Sequence, residues 1–190
     1  MNPNNGEIYA MANSTSYNLE SPRDDKNLLK KYSQSQVNKM SEKEKTKAFN
    51  EIWKNPIVSN AFEPGSTYKP FTVAAGLEEG ILKGNETYYC DGYQKVGPHT
   101  IHCSHRSGHG LITLSQSISL SCNDALMQIA AKEGKNVFAR YQKNFNFGNK
   151  TGIDLPGEAQ TASLLHDAKD MTAADPVSYT HLTLPTKLEV

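Results

Sequence analysis

Ser66 and Lys69 stand three positions apart in "EPGSTYKPFT", residues 63–72, where a glycine and two prolines give way to an apolar helical run. A serine hydroxyl is a weak nucleophile until a base takes its proton, and a lysine amine is no base while it is protonated. At i and i+3 on a helix the two side chains share one face. Burial of that face disfavours the ammonium, whose pKa must fall from about 10.4 to near neutrality for the amine to serve as base. A serine at a helix start gains a second advantage. The unpaired N–H groups there favour developing negative charge and can supply part of an oxyanion hole. Pro64 and Gly65 suit a sharp entry, and Pro70 is tolerated in a first turn.

A lone S-x-x-K is also what a capping serine and a solvated lysine look like. "SLSCND" adds Ser121 and Asn123, an S-x-N tripeptide between two expected helices. Such a serine can relay a proton to a leaving group, and the amide can hold a substrate peptide group and orient the lysine. Together the two elements point to acyl transfer through an acyl-serine.

The elements that must position these residues are readable from pattern. Residues 66–79 form a helix closed by Gly80. Thr113 with Gln116 makes a capping box that opens a helix toward Leu120. A further helix runs from about Asp124 to Lys132 and stops at Gly134, and another runs to Phe147 and stops at Gly148. Residues 87–103 alternate and turn like a hairpin. "NPNNG" reads as a turn and "EIYAMA" after it as a strand, so residues 1–12 are a strand entered by a tight turn. Residues 18–60 are charge-rich, the composition of a surface insertion. Within it Ser41 and Glu44 form a capping box, Ala48, Phe49, Ile52 and Trp53 form one apolar face, and Asn55-Pro56 stops the helix. The bland reading, a helix packed on a domain surface, is preferred there.

Composition bounds the rest. The chain has 190 residues with 20 basic and 20 acidic side chains, so its net charge is zero and nothing argues for nucleic acid. Its hydrophobic content of 37% is low for a self-sufficient core of this length. No apolar run reaches the ~18 residues of a membrane span. An opening on a turn with no leading strand suggests a start inside a domain. Residues 175–190 share no rhythm with what precedes them and resemble translated adapter or vector sequence. They are set apart from the expected domain, residues 1–174.

"EPGSTYKPFTVAAGLEEG" and "GHGLITLSQSISLSCNDALM" resemble the active-site segments of penicillin-binding proteins. "NPNNGEIYAMAN" is similar to the opening of their transpeptidase domain, and "FGNKTGIDLPGEA" to the segment after their S-x-N element. The likeness covers most of residues 1–160 and is nearest to class B enzymes of the Gram-positive division and sporulation type. It implies a mixed α/β fold like that of the serine β-lactamases, an antiparallel sheet with helices on both faces, here truncated. It also implies that Ser66 is the acylated nucleophile, Lys69 its base, and Ser121 and Asn123 the second motif. The implied partners are the D-Ala-D-Ala ends of peptidoglycan stem peptides, β-lactams as covalent inhibitors, and division or sporulation proteins. The implied location is the extracytoplasmic face of the bacterial membrane, with an anchor in a full-length parent. The alternatives are a β-lactam-hydrolysing enzyme or sensor on the same fold, which Asn123 argues against, and a non-catalytic scaffold that binds division partners through residues 18–60.

Lys150-Thr151-Gly152 spells the family's third motif, which belongs on a strand beside the cleft. Gly148 before it and Pro156-Gly157 after it mark a loop instead. The true third motif is therefore expected elsewhere in the parent, and the chain alone is expected to acylate slowly or not at all. Cys90, Cys103 and Cys122 allow three single pairings. Disulfides persist where the family works. Cys90–Cys103 would staple the hairpin and Cys103–Cys122 would tether the S-x-N loop as a redox switch, while free buried thiols remain the bland alternative. His99, His102, Cys103, His105 and His109 cluster in sequence, and His105 and His109 stand at H-x-x-x-H spacing, but no C-x-x-C pair accompanies them. Neither a metal nor a cofactor is expected.

Overall fold

The computed structural model describes residues 1–14, 16–172 and 174–179. These divide into two compact units, residues 1–61 with 152–159, and residues 62–151 with the chain from Gln160 onward.

The first unit begins with the expected turn, in which Asn2 N–H donates to Glu7 O at 2.8 Å and Gly6 N–H to Asn2 O at 2.9 Å. The strand expected after it does not form. Residues 7–12 have no ladder partner among the described residues, and without one the alternating pattern leaves the segment irregular. Residues 18–60 are helical. A 3-10 turn, Asp25–Lys30, leads into α1 (Gln34–Lys39), α2 (Glu42–Trp53) and α3 (Pro56–Ser59). Ser33–Gln36 and Ser41–Glu44 form reciprocal capping boxes, and the Asn55 side chain caps α3. Leu28, Val37, Ala48, Phe49 and Ile52 bury together, with Trp53 stacked on Phe49. The segment thus carries a small core of its own, each large member contributing about 1.5–3 kcal/mol.

In the second unit a 3-10 turn, Gly65–Tyr68, runs directly into α4 (Lys69–Glu78), and Gly80 ends it with φ +67°. Then come β1 (Thr87–Cys90), β2 (Tyr93–Val96), β3 (His99–His102), β4 (Gly110–Thr113), α5 (Leu114–Ser119) and α6 (Asn123–Asn144). The mixed α/β class with antiparallel pairing is as expected, and among the described residues the strands fall into two ribbons. β1 pairs antiparallel with β4 and β2 with β3, giving two separate two-stranded ribbons. β1 buries Tyr88 and Cys90 toward α5 and α6 while Tyr89 and Leu111 stay exposed, so helices cover one face of this ribbon.

α6 is broken at Gly134 (φ 73°, ψ 169°), where the sequence places a stop, and its second half ends at Asn144 rather than Phe147. Tyr68, Phe138, Ala139 and Met171 form one core cluster. Leu82, Ile112, Leu114, Ala125, Leu126 and Ile129 belong to another, together with the three cysteines. Asp175–Tyr179, set apart in the sequence, form α7 against α6 with Pro176 and Val177 buried. The rest of that segment, 180–190, lies outside the described residues. No helix among the described residues is long and apolar enough to cross a membrane.

Candidate active site

Ser66 and Lys69 are separated by one turn of 3-10 helix, in which residues i and i+3 eclipse. Lys69 N–H donates to the Ser66 carbonyl, so the two are locked in register. Ser66 is exposed at the mouth of the turn. Its backbone N–H makes no hydrogen bond among the described residues and is free to receive a developing oxyanion. Its hydroxyl makes no bond to Lys69.

Lys69 is only 2% exposed, which is rare for a lysine without an acidic partner. Its ammonium instead meets three neutral acceptors: the Ser121 carbonyl at 2.7 Å, Ser121 Oγ at 2.8 Å and Asn123 Oδ1 at 2.6 Å. Among the described residues no carboxylate offsets the lost hydration, and burial pulls the Lys69 pKa below its usual range, against the opposing influence of Cys103 and Cys122. Once deprotonated, the amine keeps two donors and gains a lone pair that can accept from a serine hydroxyl. Three of the four expected side chains are therefore joined directly, and the fourth stands one turn above the lysine.

Ser121 has φ +49°. It closes α5 in a left-handed cap. Its N–H donates to Ile118 O and the Cys122 N–H to Ser117 O, both at 2.9 Å, the pattern that usually has glycine at this position. α6 starts at the next step, with Cys122 as N-cap. The backbone reversal aims both the carbonyl and the hydroxyl of Ser121 at Lys69. Asn123 uses its other end, Nδ2, to reach His102 O at 3.3 Å. Asp124, fully buried, accepts from Asp91 N–H (3.2 Å), Gln94 Nε2 (2.6 Å) and Gln128 Nε2 (2.8 Å), which ties the start of α6 to the β1–β2 connection.

Lys150 lies in a coil segment rather than on a strand, and Gly152 has φ +77°. The K-T-G letters therefore lie outside any strand of the described residues.

The cysteines are free thiols. Sequence spacing missed how they assemble. The donor atoms of Cys90, Cys103, His109 and Cys122 all lie within 4.8 Å of one another. His109 Nδ1 is 3.6 Å from both Cys90 Sγ and Cys103 Sγ, and Cys103 Sγ is 3.9 Å from Cys122 Sγ. Burial pushes the Cys122 thiol up to about 12 and raises Cys90 as well. Burial acts on Cys103 in the same sense, but backbone N–H groups of His105, Asp124 and Asn123 bond its sulfur and hold it below the usual thiol range. Register could have found the group. Cys90 pairs with Gly110 across β1–β4, which sets it beside His109. Cys103 N–H donates to Gly92 O just past the β2–β3 ladder, which brings Cys103 back to the end of β1.

Residues 1–182 match the family model described as penicillin binding protein transpeptidase domain. Stage V sporulation protein D of Bacillus subtilis is 40% identical over 106 residues, 55% of this chain and 16% of that protein. The peptidoglycan D,D-transpeptidase FtsI of Escherichia coli is 28% identical over 155 residues, 82% of this chain and 22% of that protein. Among solved structures, the transpeptidase domain of Burkholderia pseudomallei penicillin-binding protein 3 superposes with a TM-score of 0.62 at 23% identity, covering 67% of this chain and 38% of that one. The chain thus spans about a sixth to a fifth of the length of these curated relatives.

Proposed function

We infer, since the chain belongs to the penicillin-binding protein transpeptidase family in its class B branch, that it carries the acylation centre of a peptidoglycan D,D-transpeptidase. The observation that carries this is the buried Lys69 bonded to both Ser121 and Asn123. A lysine held without a counter-ion is a lysine prepared to give up its proton.

In the proposed sequence the deprotonated Lys69 amine takes the Ser66 proton as Ser66 Oγ attacks the carbonyl of a stem peptide's D-Ala-D-Ala bond. The oxyanion meets the Ser66 N–H. As the tetrahedral intermediate collapses, the terminal D-Ala amine leaves with a proton passed from Lys69 through the Ser121 hydroxyl. An amine of a neighbouring stem then attacks the acyl-serine by the reverse path, restoring Ser66 and forming the crosslink. A β-lactam enters as a donor mimic and stops at the acyl-serine. On this reading the protein works at the extracytoplasmic face, where that substrate lies.

Fluorescent-penicillin labelling tests the reading on this chain and on the longest reading frame that contains it. Covalent label at Ser66, absent from Ser66→Ala, is expected in the longer protein, with slow or no labelling of the chain alone. A longer protein that folds but takes no label at Ser66 would overturn it.

A further inference from the structure

We propose that Cys90, Cys103, His109 and Cys122 form a closed four-ligand Zn²⁺ site whose ion fixes the backbone that carries Ser121 and Asn123. Zinc in a structural site is tetrahedral, with Zn–S near 2.3 Å and Zn–N near 2.0–2.1 Å. A tetrahedron of that size has S···S edges of about 3.8 Å and S···N edges of about 3.6 Å, from the same bond lengths. The Cys103–Cys122 separation is 3.9 Å, and both sulfur–Nδ1 separations to His109 are 3.6 Å. A disulfide instead needs its sulfurs at about 2.05 Å. Three soft sulfurs and one imidazole select zinc over magnesium or calcium. Binding exchanges three thiol protons for one Zn²⁺, leaving three thiolates and a neutral imidazole on the metal, with the remaining His109 proton on Nε2.

The surrounding backbone is built to this shape. A Cβ at Gly108 would lie 2.3 Å from Cys90 O, and one at Gly92 would lie 2.1 Å from Arg106 O. Both positions have positive φ, so only glycine allows the 103–109 loop to fold down over the end of β1. Backbone N–H groups already point at the sulfurs, as outer-shell donors of thiolate sites do. Ala125 N–H reaches Cys122 Sγ at 3.5 Å, and those of His105, Asn123 and Asp124 reach Cys103. The three cysteines are buried while His109 is half-buried, which leaves an entry side for the ion.

The site is next to the chemistry by covalent connection. Cys122 is the middle residue of Ser121-Cys122-Asn123, and its neighbours hold Lys69 Nζ at 2.8 and 2.6 Å. An ion bound to Cys122, Cys103 and Cys90 pins that tripeptide to β1 and to the end of β3.

The test uses Co²⁺ and Zn²⁺ with the purified, reduced chain. Cobalt is expected to bind one ion per chain, with strong sulfur-to-metal charge-transfer absorption and intense tetrahedral d–d bands that zinc bleaches on displacement. Cys90→Ser is expected to weaken zinc binding by more than about 100-fold, beyond the 10–100-fold that outer-shell partners control. His109→Cys is expected to retain the metal with stronger charge transfer, which separates loss of a ligand from loss of fold. A weak, octahedral cobalt spectrum without charge transfer would overturn the proposal. So would equal zinc affinity in the parent chain and Cys90→Ser. None of these readouts depends on penicillin acylation.

Discussion

Lys69 Nζ lies 2.7 Å from the carbonyl oxygen and 2.8 Å from the hydroxyl of Ser121, a residue whose φ is +49°. A left-handed backbone costs a residue with a Cβ about 1–2 kcal/mol, and glycine is the usual occupant of such a helix cap. A serine there sets a hydroxyl on Lys69 where the backbone turns, which glycine could not do. Local strain is retained at a position that two elements, the end of α5 and the start of α6, over-determine.

Ser121→Gly is therefore expected to stabilise the fold by up to about 1 kcal/mol while lowering the rate of penicillin acylation by about 10²-fold or more. Denaturant unfolding and labelling kinetics on the same preparations check the pair of effects. A variant that loses stability and acylation together would mean that the hydroxyl supports packing rather than proton transfer.

The parts legible in the sequence were those whose geometry is local. Ser66 with Lys69, and Ser121 with Asn123, are set by one turn of chain each. Both capping boxes, and the break at Gly134, depend on side chains within three or four positions. What spacing hides is long-range register. Cys90, Cys103, His109 and Cys122 sit on the end of β1, just past β3, just before β4 and at the start of α6, so only the pairing of two ribbons reveals them as one group. The same limit explains the misread strand at residues 7–12, where alternation is present but no ladder partner is. It also explains Glu133, which by position is an ordinary charged residue before a glycine and proves to be buried.

Asn123→Asp places a carboxylate where Asn123 Oδ1 now sits 2.6 Å from the buried ammonium. The new charge favours protonated Lys69, opposing the burial that lowers its pKa. The base then deprotonates at higher pH, so the rising limb of the acylation profile is expected to move upward with little loss at its plateau. Acylation rates across a pH series read this directly. An unmoved limb with a uniformly lower rate would assign Asn123 to substrate binding alone.

Glu133 is 6% exposed, its carboxylate oxygens have no hydrogen-bond partner among the described residues, and burial raises its pKa to about 8. Below the ordinary value of 4.5 the group is neutral whether the chain is folded or not, so folding carries no penalty. Between 4.5 and about 8 the unfolded chain has released the proton and the folded chain still holds it. Stability therefore falls as pH rises through that window, by on the order of a few kcal/mol at about 1.4 kcal/mol per pH unit. Glu133→Gln is expected to flatten this dependence and to be the more stable form at pH 8 (about the folded pKa). Thermal unfolding of both forms from acidic to mildly alkaline pH decides it. Parallel curves would place the Glu133 carboxylate in contact with water.

Two lysines in this chain carry family-like motifs, and only Lys69 is proposed as a base. Lys69 is buried and bonded to Ser121 and Asn123, one 3-10 turn from Ser66. Lys150 is exposed in coil two residues before a glycine at φ +77°, so it lacks the strand that would aim it. In the longest reading frame that contains the chain, Lys69→Ala is expected to reduce penicillin acylation at Ser66 to background, because it removes the amine that is bonded to Ser121 and Asn123 one turn from Ser66. Lys150→Ala is expected to leave the acylation rate within about twofold, as surface changes away from such features usually do. Time courses of fluorescent-penicillin labelling on the three proteins separate the cases. Acylation lost with Lys150→Ala and kept with Lys69→Ala would reverse the roles and make the K-T-G tripeptide the working motif.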